Sequence, residues 1–81
     1  MKNEKELLEL EYNLICDFIK LRKDKNLSQK ELASMSGVVR EKITKIENRL
    51  NSPQINSLIK ILKPLGYTLK IMPIKEDEDV F

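Results

Sequence analysis

Arg40, Glu41 and Lys42 stand in a row, and Thr44, Lys45 and Asn48 follow them on what would be the same polar side of a helix. These side chains suit hydrogen bonding to nucleic acid. A guanidinium pairs bidentately with guanine, a carboxylate accepts from the amino group of cytosine, and one good pair discriminates by roughly 1 to 3 kcal/mol. Thr44, Lys45 and Asn48 suit phosphate oxygens, where contacts position a protein without specifying a sequence. The chain holds little else that could do chemistry. It has no histidine, and Cys16 is its single cysteine, so there is no thiolate or imidazole cluster of metal-site spacing and no Ser-His or Cys-His pair. No catalytic residue, metal or cofactor is expected. The lone cysteine also excludes an intrachain disulfide framework.

Base-reading side chains need a helix held at a fixed angle, and the flanking sequence supplies one. Ser28 and Glu31 form the Ser-x-x-Glu capping box that opens a helix at Gln29. Leu32, Ala33 and Met35 give that helix an apolar edge, and Gly37 can take the positive φ that turns the chain. A second helix starts near Arg40, with Ile43, Ile46 and Leu50 as its buried stripe. Two short helices crossing over a glycine turn let the second lie in a major groove, its first residues facing base edges.

With Ser28-Gln29 at the first helix start, Leu32-Ala33 within it, Gly37-Val38 at the turn, and Ile43-x-x-Ile46-Glu47-Asn48 at the end of the second, the chain resembles the Xre-type, phage-repressor-like helix-turn-helix family. The resemblance extends over roughly residues 14 to 66. It implies a mostly α DNA-binding domain of four to five helices. It also implies that Gln29 contacts phosphate and buttresses the recognition helix, that Val39 and Arg40 to Lys42 approach DNA, and that Arg22 and Glu47 form a partly buried ion pair orienting that helix. Two residues depart from the family pattern. Val39 stands where Ser or Thr usually caps the recognition helix, which weakens the helix by roughly 1 kcal/mol unless another group caps it. Arg49 replaces the usual glycine, leaving Asn48 as a residue able to take the left-handed conformation.

Around this unit the chain divides into an N-terminal extension (residues 1 to 13), the helix-turn-helix domain (14 to 66), a strand-like segment (67 to 74) and an acidic tail (75 to 81). The first helix should start near Leu7 or Leu14 and run to Lys25, with the extension packing on a dimer partner. Ser52 and Pro53 suit the cap and first turn of a further helix whose stripe is Ile55, Leu58, Ile59 and Leu62, closed by Pro64 and Gly66. Tyr67, Leu69 and Ile71 then alternate with Thr68 and Lys70, the period of a strand. A lone strand in a helical chain needs a partner, either its copy in a homodimer or the first helix of its own chain. Phage repressors usually continue with a helix here, so this ending looks more like the Hip-type and Hig-type antitoxins.

Net charge is only +2, yet residues 20 to 75 hold thirteen Lys and Arg against four acids, leaving +9 on the body and acidic flanks. A basic body attracts phosphate by counterion release. No apolar run approaches the roughly 20 residues of a membrane span, and the first residues do not read as a signal peptide, so a soluble, cytoplasmic protein is expected. Together these features point to a homodimeric repressor that binds double-stranded DNA at an inverted repeat. They also fit an antitoxin autoregulating its operon, with Phe81 at the end of the tail as a contact for a toxin; a merely solubilising tail is the alternative. A protein-interaction module that uses the same helices without DNA is the competing class.

Overall fold

The computed structural model describes residues 2 to 74, with side chains from Glu4 onward. Expectations placed on the acidic run and on Phe81 lie outside the described residues. The first helix, α1 (Lys2–Asp24), starts well before the expected Leu7 or Leu14. Apart from Asn3, its opening residues are Lys, Glu and Leu, all strong helix formers, with no Gly or Pro to stop them.

Next come α2 (Gln29–Ser36) and α3 (Arg40–Glu47), the two helices expected from the capping box and the glycine turn. Ser28 Oγ accepts from the Glu31 amide at 3.0 Å while the Ser28 amide donates to Glu31 Oε1 at 2.8 Å. Gly37 ends α2 with φ of 77° and donates its N–H to the Ala33 carbonyl. After α3 the chain reaches α4 (Ile55–Leu62), followed by one 3₁₀ turn (Lys63–Leu65).

Helix α4 departs from the sequence reading twice. It begins at Ile55 with Gln54 at the N-cap, and no side chain caps it, so Ser52 and Pro53 belong to the preceding loop. Its buried stripe is Leu58, Ile61 and Leu62, continued by Leu65, whereas Ile55 is 68% and Ile59 41% exposed. Ile55, Leu58, Ile59, Ile61 and Leu62 make one broad apolar arc, with Asn56, Ser57 and Lys60 outside it; the core covers the part of the arc that leads on to Leu65 and leaves Ile55 and Ile59 on its open edge.

Three helix ends close in the same way. Behind α1, Asn26 takes φ of 58°, its amide donating to the Lys23 carbonyl and the Leu27 amide to Arg22. Arg49 (φ 58°) and Gly66 (φ 87°) repeat this Schellman arrangement, with the Leu50 amide reaching Lys45 and the Tyr67 amide reaching Leu62. The left-handed residue after α3 is therefore Arg49 itself. Asn48, expected in that role, has φ of −85°.

Ile15 and Phe18 from α1, Leu32 from α2, Val38 from the turn, Ile43 and Ile46 from α3, and Leu58, Ile61, Leu62 and Leu65 form one core. Among the described residues there is no strand. Residues 67 to 74 run irregularly beside α1 and α4, where Tyr67, Leu69 and Met72 line a groove of about 540 Å³ with Leu14, Phe18 and Leu62. Leu69 packs against the core and Ile71 points into solvent. No described helix is long and apolar enough to cross a membrane.

Candidate nucleic-acid interface

The orientation of α3 is fixed by a chain of hydrogen bonds, charge-assisted at Arg22 and Glu47, that joins three helices. Arg22 of α1 donates from Nε to Glu47 Oε2 at 2.7 Å and from Nη2 to Glu47 Oε1 at 3.0 Å, a bidentate fork across α1 and α3. Its remaining nitrogen, Nη1, donates to the Leu27 carbonyl at 2.8 Å, tying down the loop before α2. Glu47 Oε1 also accepts from Gln29 Nε2 at 2.8 Å, and Gln29 Oε1 in turn accepts from the Thr44 hydroxyl at 2.8 Å. Both charges are taken out of water, with Arg22 only 8% exposed. A buried pair needs every donor and acceptor matched to offset desolvation, and here each nitrogen of the fork has a partner.

This network assigns work to two side chains. Gln29 uses its carbonyl oxygen and one amide hydrogen to brace α3, leaving a second amide hydrogen for other contacts. The Thr44 proton is spent on Gln29, so the phosphate contact expected of Thr44 has no donor in this geometry. Its place at the inner edge of α3 makes it a brace.

With one face of α3 in the core through Ile43 and Ile46, the opposite face presents Arg40, Glu41, Lys42, Lys45 and Asn48 to solvent. Val39 sits at the N-cap in extended conformation without a side-chain cap, 65% exposed. In the turn before it, the Ser36 hydroxyl accepts from the Val38 amide at 3.1 Å, which ties the turn but caps none of the first amides of α3. Beside α3 the following loop forms a shallow cleft of about 280 Å³, in which Asn51, Ser52 and Gln54 face Glu41, Lys42 and Lys45. Sequence reasoning used Ser52 as a helix cap and passed over this polar wall; the only signal for it was the polar run itself.

The contact made by Arg49 was also missed. Its guanidinium lies 4.4 Å from the centre of the Tyr12 ring, so the left-handed residue that ends α3 rests on α1. Such a cation–π contact contributes about 0.5 to 1 kcal/mol at an exposed site, which offsets much of the left-handed backbone cost. A Tyr within α1 and an Arg behind α3, with two helices between them, leave no local pattern to find.

A capped helix, a left-handed glycine turn, a second short helix with a polar outer face and a bracing ion pair define a helix-turn-helix domain. The chain matches the helix-turn-helix family over residues 18–71 and belongs to it. It is 41% identical over 75 residues to an uncharacterized HTH-type transcriptional regulator of Haemophilus influenzae, a match covering 90% of this chain and 76% of that protein. Among solved structures it is similar to a toxin–antitoxin module from Streptococcus pneumoniae, with 34% identity, a TM-score of 0.75, and coverage of 91% of this chain and 81% of that one.

Proposed function

We propose that this chain is a sequence-specific, DNA-binding transcriptional repressor. The observation that carries the reading is the braced α3: its inner face is locked to α1 and α2 through Glu47, and its outer face offers Arg40, Glu41 and Lys42 at the end that enters a groove. Arg40 and Glu41 read base edges. Lys42 spans base and backbone, and Lys45 and Asn48 hold phosphates, with Gln29 free to add one amide hydrogen. Val39 lies at the leading edge.

The chain acts as a homodimer. Residues 67 to 74 leave Tyr67, Ile71 and Met72 exposed, which supports their pairing with a second copy about a two-fold axis. Two recognition helices related in this way meet half-sites about 34 Å apart in an inverted repeat. Likeness to a toxin–antitoxin module favours the narrower reading that the chain is an antitoxin repressing its own operon.

Band-shift titration with the DNA upstream of its own gene tests the proposal. Arg40→Ala is expected to weaken that DNA by about 5- to 150-fold while leaving random duplex nearly unaffected, as loss of one bidentate base contact requires. Equal affinity of the parent protein for both duplexes would overturn it and return the protein-interaction module to first place.

A further inference from the structure

Helix α1 is longer than the domain needs. It spans 23 residues, yet core packing begins at Leu14 and Ile15, and the family match begins at residue 18. Its first turns form an arm that, among the described residues, meets the rest of the domain only near its root, where Leu8 and Glu11 border a cleft with Arg49 and Leu50. Leu7, Leu10 and Leu14, spaced i, i+3 and i+7, continue the face on which Phe18 enters the core. Among the described residues nothing covers that face on the arm: Leu7 is 64% and Leu10 48% exposed, and Leu8 on the adjoining edge is as bare as Leu7. The Tyr12–Arg49 contact fixes the root of the arm to the domain. A rigid helix with exposed anchors at this spacing is the donor half of a helix-in-groove contact.

Charge selects the occupant. Residues 4 to 11 carry four glutamates and one lysine. By helical spacing, Glu6 flanks the leucine stripe on one side and Glu11 on the other, with Glu9 further round the helix beyond Glu6. DNA is repelled by this surface. Two arms laid together would set carboxylate against carboxylate, and the acidic run Glu76 to Asp79 meets the same objection. We infer that the arm is the docking surface for a basic protein, whose apolar groove takes Leu7 and Leu10 and whose Lys or Arg rim meets Glu6 and Glu11, with Glu9 adding to the negative field behind them. Proteins that act on a polyanion present such a surface. The inference rests on the toxin–antitoxin reading and adds to it where on this chain the partner sits.

The full chain is co-purified with the protein encoded by the gene adjoining its own, and the affinity is measured by calorimetry at low and high salt. Leu7→Ala/Leu10→Ala keeps helix propensity and is expected to weaken the complex by at least about 30-fold, the loss of an interface hot spot. Glu6→Lys/Glu9→Lys is expected to weaken it by about 10-fold at low salt and less at high salt. Removal of residues 76 to 81 should leave the affinity unchanged, and all variants should retain the parent's operator binding. Parent-like affinity in both arm variants overturns the inference, as does loss of self-association in place of partner binding, or loss confined to the tail deletion. If the adjoining gene product does not bind the parent chain at all, the toxin–antitoxin reading itself fails and the docking surface with it.

Discussion

Removing the Glu47 carboxylate would strand the Arg22 guanidinium inside the domain with only the Leu27 carbonyl and leave Gln29 half-satisfied. Glu47→Ala should therefore destabilise by about 3 to 5 kcal/mol in urea denaturation, and Arg22→Ala similarly, while the double variant loses much less than their sum because neither charge is left alone. Simple additivity would show that the two side chains act independently. Val39 behaves oppositely, since nothing caps α3 there. Val39→Thr should raise stability by about 1 kcal/mol in the same assay, and an unchanged midpoint would mean that the turn already satisfies the first amides of α3. At Arg49 two effects of similar size oppose each other: glycine would release about 1 kcal/mol of left-handed strain but lose the contact over Tyr12. Arg49→Gly is expected to change stability by less than about 0.5 kcal/mol, and Tyr12→Ala to cost more than that.

Helix boundaries carried by local chemistry were legible in the sequence. The Ser28–Glu31 box, Gly37 and Gly66 act within a few residues, and each stands in the structure as its chemistry requires. Boundaries that depend on packing were not legible. The length of α1 has no stop signal to announce it, the start of α4 ignores a serviceable Ser-Pro signal, and the buried face of α4 is decided by what lies opposite. On α3, the polar outer face followed from periodicity, but the commitment of Thr44 to Gln29 required knowing how α2 crosses α3. The register of α4 can be checked directly. Ile61→Ala should cost about 2 to 5 kcal/mol by opening a cavity, and Ile55→Ala well under about 1 kcal/mol from an exposed site. Equal costs would place Ile55 in a contact that a single chain does not make, such as a dimer interface.

Over the whole molecule, charge is sorted by place. The body, which carries the face proposed to meet phosphate, is basic, and Glu4, Glu6, Glu9 and Glu11 crowd onto the arm. Affinity for DNA should therefore fall steeply with salt, and each of Lys45→Ala and Lys42→Ala should reduce the slope of log K against log salt by about 1 if it meets a phosphate. The claim that α3 reads sequence is tested most directly by incubating the protein with fragmented genomic DNA from its source at near-physiological salt and sequencing what is retained, in parallel with Arg40→Ala. The expected result is enrichment of an inverted repeat, including one upstream of its own gene, that the variant loses or relaxes at one position in each half-site. Retention of the same fragments by both proteins, or salt-sensitive retention without any enriched sequence, would contradict it.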